Sequence, residues 1–331
     1  MTASATKGVA PNKNHFRTVT TTKDKPELEE GSVLVKNAVF SLDPYILHDF
    51  SKGNKESSVT GFGIGKIVDS KNPTFPVGST FFGPVRWESY SVLTQDQGLS
   101  ESVNLDAGLD KDDSLSVYNG VLGLSGFTVW DSLKRRGDLK KGETIYISSA
   151  AGTLGQLAGQ LAKRQGLRVI GSAGSDDKVA YLKNVLGFDA AFNYKTQDRR
   201  QALTELAPQG LDIYYDMGFD DTVEIALALL NPHSRIISVG VLAMHQGQEL
   251  VAPKNMIHIL MKQLRYEGYV VYEYYDQWED FWKEMTLLVK NGEIKFAETV
   301  VEGGIDVVAE TYDRFMQGGY KGKVSVKFAD L

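Results

Sequence analysis

One run of small residues, Ser149-Ala150-Ala151-Gly152-Thr153-Leu154-Gly155, has the types and spacing to hold a phosphate. Apolar residues follow at Leu154, Leu157, Ala158, Leu161 and Ala162, which lie on one face of a helix. The run therefore opens that helix. Unpaired N–H groups and the dipole at a helix N-terminus favour a pyrophosphate. Gly152 lets the backbone approach a ligand, and Gly155 lets the helix pack closely on the strand before it. Ala150 stands where G-x-G-x-x-G has its first glycine, so only G-x-x-G remains. That spacing acquires meaning from a strand–turn–helix–strand frame. The alternative is a tight turn with no ligand.

A second chemical signal lies one strand further on. An NAD site usually carries an acidic residue about 20 residues past the first glycine, bonded to the ribose 2′-OH. Here that place reads Gly171-Ser172-Ala173-Gly174-Ser175. With no carboxylate at the tip, a 2′-phosphate is not repelled, and Lys178 is near enough in sequence to pair with it. Asp176 and Asp177 argue the other way, unless they are the first-turn acids of the next helix. The balance favours NADP.

Other chemistries find less support. The chain has no cysteine, which removes disulfides, thiolate-ligated zinc and a thiol nucleophile. Its five histidines (His15, His48, His233, His245, His258) are scattered and form no His-x-x-x-His pair, so no metal site is expected. A net charge of −6 gives no reason to expect nucleic acid or an anionic membrane as partner. No apolar run approaches the ~20 residues of a membrane span. Residues 1–14 are polar, unlike a secretory signal, and are expected to be loose.

The elements that must position the turn follow from periodicity. Residues 144–148 and 167–171 are short β-branched runs suited to buried parallel strands. From residue 120 the spacing becomes helical. After residue 194, helices over 197–207, 221–230, 255–264 and 277–289 alternate with strands over 211–216, 235–240 and 269–272. That alternation predicts a doubly wound parallel sheet. Residues 15–118 instead give short strands over 32–36, 63–68, 75–82 and 87–93, which predict a small barrel or sandwich. Pro44 forbids a central strand at 41–45. Residues 323–328 alternate again and are expected to rejoin the β-rich part. At 331 residues two domains are expected: 1–120, 121–292, and a return over 293–331.

By these segments the chain resembles the medium-chain dehydrogenase/reductase superfamily, and within it the zinc-independent prostaglandin reductase and alkenal double-bond reductase family. Ser41-Leu42-Asp43-Pro44-Tyr45 resembles the family's S-L-D-P-Y, and Gly61-Phe62-Gly63-Ile64-Gly65 its G-x-G-x-G strand. Leu122-Gly123-Leu124-Ser125-Gly126-Phe127-Thr128 is similar to L-G-M-P-G-L-T, and residues 150–155 to A-A-G-A-V-G. Residues 186–195, LGFDAAFNYK, match almost letter for letter. The resemblance implies a GroES-like barrel plus a Rossmann domain, NADP(H) as cofactor and a small enal or enone as substrate. A cytoplasmic homodimer is expected with it. The resemblance also implies that Thr153, Leu154, Gly155 and Gln156 hold the pyrophosphate, and that Lys178 and Tyr194 hold the 2′-phosphate. Val239, Gly240, Val241 and Leu242, with Tyr269, Val270 and Val271, would flank the nicotinamide half, and Thr128 would lie near its carboxamide.

Departures gather on the nicotinamide half. The family's D-N-V-G reads Asp216-Met217-Gly218-Phe219, and its loop tyrosine is His245. Its helix tyrosine aligns with Met261, and an asparagine near the C-terminus with Tyr320. Reducing an enone double bond needs a hydride at the β-carbon, a donor to the carbonyl as enolate charge builds, and a proton at the α-carbon. Tyr45 and His245 are the candidate catalytic residues. Their alternatives are an aromatic packed on the Asp43-Pro44 turn and a surface-loop histidine. A quinone oxidoreductase and a non-catalytic NADPH-binding protein stay open as other functions.

Overall fold

Hydrophobic alternation and buried parallel runs sort this chain into two units of different sheet type. The structure is a computed structural model that describes residues 2–3, 13–21, 24–47, 57–107, 115–249 and 252–331. Most of the N-terminal segment expected to be loose, and His48, lie outside the described residues. One unit comprises Met1–Gly123 with Glu298–Leu331, and the other Leu124–Ala297.

The main sheet of the first unit includes β1 (Val33–Leu42), β2 (Thr60–Ser70), β3 (Thr80–Arg86) and β4 (Tyr90–Leu93). β1 pairs antiparallel with β2 along one edge, with register shifts at Leu34/Val35 and Asn37/Val39 that bend the strand. Its other edge is shared: Val33–Lys36 pair with β4. β1 runs through Ser41 and Leu42, further than expected, and Pro44 then starts a single 3-10 turn (Pro44–Leu47). The strand expected over 75–82 begins only at Thr80. The residues before it form a turn closed by Ser79 N–H to Pro76 O, and Gly78 N–H ties it to Ile67 O of β2.

The second unit carries α1 (Leu124–Ser132), β5 (Thr144–Ile147), α2 (Thr153–Arg164), β6 (Arg168–Ala173), α3 (Asp176–Asn184) and β7 (Ala190–Asn193). It continues with α4 (Arg199–Leu206), β8 (Leu211–Asp216), α5 (Thr222–Leu229), β9 (Leu230–Ser238), α6 (Leu242–His245), α7 (Ile257–Met261), β10 (Arg265–Gly268) and α8 (Trp278–Lys290). The strand order is β7-β6-β5-β8-β9-β10, with every pair parallel. This is the doubly wound Rossmann arrangement, and its strand order reverses between β5 and β8. Tyr146, Ile170, Phe192, Tyr214, Leu227 and Ile236 form one buried core beneath α4 and α5.

The last parallel strand corrects the sequence reading. Residues 269–272 were expected to pair, but β10 is Arg265–Gly268, in register with Arg235–Ser238, and Val271–Glu273 form a 3-10 turn. β10 is an edge strand, half exposed, so it lacks the apolar run that marks a buried strand. The chain then rejoins the first unit as β11 (Glu298–Glu302), α9 (Val308–Met316) and β12 (Lys323–Lys327). β12 pairs with Val39–Leu42 of β1, filling the edge that β4 leaves open. No helix among the described residues is long and apolar enough to cross a membrane.

One buried ion pair anchors the base of the parallel sheet. Arg235 of β9 donates two hydrogen bonds to Glu143, at 2.9 and 2.7 Å, and others to Gly137 O and Asp138 O. Burial alone would raise the Glu143 carboxyl, but Arg235 and the Lys140 N–H hold it below its usual value. That stabilisation is therefore present at neutral pH and is lost as pH falls through the acid range below about 4.3. Arg235→Met leaves Glu143 half-buried without its cation and should cost about 3–5 kcal/mol, read as a fall in thermal midpoint at pH 7. An unchanged midpoint would show that the pair contributes nothing.

Candidate functional site

β5 ends at Ile147, and the chain turns over the C-terminal edge of the sheet into α2. Ser149 is left-handed at φ 47°. The turn is closed by Ala150 N–H to Ser172 O at 2.8 Å and Gly152 N–H to Ser149 O at 2.9 Å. Gln156 N–H to Gly152 O is the first helical bond, and no side chain caps α2. The N–H groups of Thr153, Leu154 and Gly155 are thus the helix's own orphan donors. The two glycines differ in role. A Cβ on Gly155 would lie 2.5 Å from Ala150 Cα, whereas one on Gly152 would meet only Ser149 O at 3.2 Å. Gly155 is demanded by packing; Gly152 leaves the turn's surface open to a close ligand. Gln156 is turned inward: its amide donates to Ala151 O and accepts from the Ala297 N–H, both at 2.9 Å.

At the tip of β6, Gly174 faces Tyr194: a Cβ there would meet Tyr194 Oη at 2.9 Å and Lys195 Cε at 3.2 Å. Asp176 accepts from Asn193 Nδ2 at 2.8 Å, so this first-turn acid is engaged within the protein. Lys178 stands in the same first turn of α3, half-buried. Burial holds the Tyr194 phenol above its ordinary value, against the pull of Arg199, so it stays a donor at neutral pH. The Arg199 guanidinium lies over the Tyr194 ring at 5.1 Å.

The other half of the edge is organised by Asp216, at the end of β8. Its Oδ1 accepts from Tyr214 Oη at 2.9 Å and from the Gly218 and Phe219 N–H groups at 3.0 Å. Its Oδ2 accepts from Ser238 Oγ at 2.8 Å. Burial raises this carboxyl, and the four donors oppose the rise. The Val239 N–H donates to Asp216 O, and the Leu242 N–H to Met217 O, which ties the loop after β9 to the turn after β8. A Cβ on Gly240 would lie 3.0 Å from Met217 O, so that glycine serves the same close approach. Val241 and Leu242 are half-buried, and His245 ends the short helix α6, half-buried rather than on an open loop.

Beyond β10, Tyr269 is buried; its N–H donates to Ser238 O at 2.9 Å and its hydroxyl to Asp131 Oδ2 at 2.7 Å. Burial, and the adjacent carboxylate, raise that phenol. Arg135 donates to the same Oδ2, while Asp131 Oδ1 is buried without a hydrogen-bonding partner among the described residues. Val270 is exposed and Val271 buried. Thr128 sits in α1 with its hydroxyl donated to Leu124 O at 2.8 Å.

In the first unit, Tyr45 lies half-buried in the turn after β1. Lys323 of β12, itself buried, donates to Asp43 Oδ1 at 2.6 Å and to Leu42 O at 3.3 Å. Tyr312 of α9 donates to Asp43 O and Pro44 O at 3.3 and 3.2 Å. The turn carrying Tyr45 is therefore held from two other elements. Sequence reasoning missed Lys323, Asp131, Arg199 and the role of Asp216. Only Asp131, an acid inside an otherwise apolar helical stretch, carried a local signal. No group of three or more His, Asp or Glu residues able to hold a metal occurs among the described residues.

Known proteins align with both units. Residues 153–287 match the zinc-binding dehydrogenase family, and residues 3–101 the family described as the N-terminal domain of oxidoreductase. The chain is 35% identical to an NADP(+)-dependent 2-alkenal reductase of Nicotiana tabacum, over 84% of this chain and 83% of that protein. It is 34% identical to (+)-pulegone reductase of Mentha piperita, over 87% and 85%. CurA of Vibrio vulnificus, solved in complex with NADPH, superposes with a TM-score of 0.87 at 26% identity, covering 100% of this chain and 99% of that one.

The two glycines of the turn should behave differently on substitution. Gly155→Ala forces backbone against backbone and should cost about 1–3 kcal/mol, lowering the thermal midpoint by several degrees. Gly152→Ala should shift it by about a degree or less. Equal shifts in thermal unfolding would contradict the division of roles.

Proposed function

This chain belongs to the zinc-independent alkenal and prostaglandin reductase family of the medium-chain dehydrogenase/reductases, and we propose that it reduces the carbon–carbon double bond of α,β-unsaturated aldehydes or ketones with NADPH. The observation that carries this reading is the likeness, along most of the chain, to two relatives named for alkenal and pulegone reduction.

The residues present fit NADPH. Three orphan N–H groups at an uncapped helix N-terminus suit a pyrophosphate. Gly152 has room for close approach, and Asp176, one of the two acids in the first turn of α3, accepts from Asn193. In this reading Thr153, Leu154 and Gly155 hold the pyrophosphate through their backbone. Gln156 contributes by bracing the turn, its side chain being spent on Ala151 and Ala297. Lys178 and Tyr194 hold the 2′-phosphate. The Asp216 network fixes the backbone from Val239 to Leu242 that would flank the nicotinamide, with Tyr269, Val270 and Val271 beside it and Thr128 near the carboxamide. NADPH, when bound, supplies the hydride. The protein must then donate to the carbonyl oxygen as enolate charge develops, and Tyr45 and His245 are the candidates for that task.

NADPH oxidation measured over enals, enones and quinones, with NADH in parallel, tests the assignment. Turnover should be highest with enals or enones; turnover on quinones alone would overturn the reading. The same assay on Tyr45→Phe and His245→Phe identifies the donor, whose variant should lose about 10²-fold in turnover. Wild-type activity in both variants would remove both from that role.

Cofactor choice should rest on Lys178. A charge-assisted contact to phosphate contributes about 1.5–3 kcal/mol, so Lys178→Ala should weaken NADPH binding roughly tenfold or more and leave NADH nearly unchanged. Equal weakening of both cofactors, measured by fluorescence titration, would take the 2′-phosphate away from Lys178.

A further inference from the structure

We infer that Asp131 is a positioning residue for the reaction: acting through Tyr269, it fixes the Val270–Val271 backbone that would flank the nicotinamide. The inference rests on the function proposed above. Asp131 is buried in α1, a helix whose nine residues are all buried. Its Oδ2 accepts from Tyr269 Oη and from Arg135 Nε, each at 2.7 Å. A phenylalanine and an aliphatic side chain would fill the same space with no charge to bury. Such replacements of buried ion pairs are often neutral or stabilising, so stability alone does not account for the carboxylate. A directional hydrogen bond supplies what packing does not, one orientation for one ring. Burial and the adjacent carboxylate raise the Tyr269 phenol, so it keeps its proton and stays the donor at neutral pH.

The segment so held is clamped at both ends. Tyr269 is the first residue after β10, and its N–H donates to Ser238 O. Ser238 Oγ in turn donates to Asp216 Oδ2. The near end is therefore tied by backbone to β9 and by side chain to α1. At the far end, the Arg135 guanidinium lies over the Tyr274 ring at 4.3 Å, and Arg136 donates to Tyr274 Oη at 3.1 Å. The Tyr269 and Tyr274 rings stack at 5.2 Å, and the Tyr274 N–H donates to Val271 O.

Both arginines sit in a single π-helical turn, Leu133–Gly137, that continues α1. Such turns are rare and recur at functional sites. This one is braced from below, since Gly137 O and Asp138 O accept from Arg235. Between the two clamped tyrosines, Val271 is buried and Val270 is 57% exposed. The clamp thus holds a short backbone stretch rigid while leaving one apolar side chain open. Thr128, proposed to lie near the carboxamide, precedes Asp131 by about one turn of the same helix. One helix therefore sets both the Thr128 side and the Val270 side of the proposed ring site.

The two halves of the cofactor give separate readouts. 2′,5′-ADP carries the adenosine without the nicotinamide, and reduced nicotinamide mononucleotide carries the reverse. In Asp131→Ala and Tyr269→Phe the freed segment must be ordered on binding, so the mononucleotide should bind roughly tenfold more weakly. Affinity for 2′,5′-ADP should be unchanged. Turnover should fall roughly tenfold or more, with KM for NADPH little changed, because misplacement costs rate rather than adenosine binding. The double variant should be no worse than Asp131→Ala, since both changes break one link. Asp131→Asn keeps an oxygen to accept from Tyr269. Its amino group can fall where Asp131 Oδ1 has no hydrogen-bonding partner among the described residues. That variant should therefore keep most of the turnover that Asp131→Ala loses. Tyr269→Phe, which removes one hydroxyl, carries the test if Asp131→Ala fails to fold. Unchanged turnover and mononucleotide affinity beside a lowered thermal midpoint would make Asp131 a core residue only. Equal weakening of both probes would overturn the inference by showing a general distortion. Either result leaves the cofactor reading standing, whereas a wild type that binds no 2′,5′-ADP sinks both.

Discussion

A single buried carboxylate, Asp216, holds together the working edge of the parallel sheet. It takes two backbone donors from its own turn, one hydroxyl from its own strand and one from the next strand. Left without them, an ionised carboxylate at that depth would be costly. Satisfied, it makes the turn after β8 and the loop after β9 one rigid piece, because Val239 and Leu242 bond back to Asp216 and Met217. Tyr269 joins the same piece through Ser238.

This network holds the backbone of the proposed nicotinamide half without the side chains in which the sequence departs from the family pattern. Met217 stands where the resembled D-N-V-G pattern has asparagine, and its backbone N–H is fixed by Ser148 Oγ. The proposed adenosine half is built differently, on absence of side chains rather than on a polar network. Gly155 allows α2 to touch the β5 turn, Gly159 leaves space for the Phe188 ring, and Gly174 leaves space for Tyr194. Size is the constraint there, and sequence patterns record size well.

That difference governs what could be read from the sequence. β5, the turn, α2 and β8 were legible because each is a local pattern: a β-branched run, small residues at fixed offsets, helical spacing. The end of β1 was only partly legible: Pro44, lacking an N–H, does stop it, but the strand runs to Leu42, past the residues 32–36 that alternation marked. β10 was misplaced because an edge strand is half polar, and the apolar residues just after it mimic a buried strand. Arg235 with Glu143 and Lys323 with Asp43 were invisible because each joins residues far apart in the chain, and no short window contains both partners. The left-handed turn at Phe219 escaped notice because only glycine or asparagine announces such a backbone.

The tie between Lys323 and Asp43 bears on the order in which the molecule assembles. Residues 39–42 of β1 pair with β12 on one edge, and the Asp43 turn is bonded by Lys323 and Tyr312. All of those partners lie more than 260 positions later in the chain. During synthesis the N-terminal sheet therefore waits, with an open edge and an unpaired acid, until residues 323–327 have left the ribosome. Residues 124–297 hold every strand of the parallel sheet and are complete before then. The unit begun first is the one finished last.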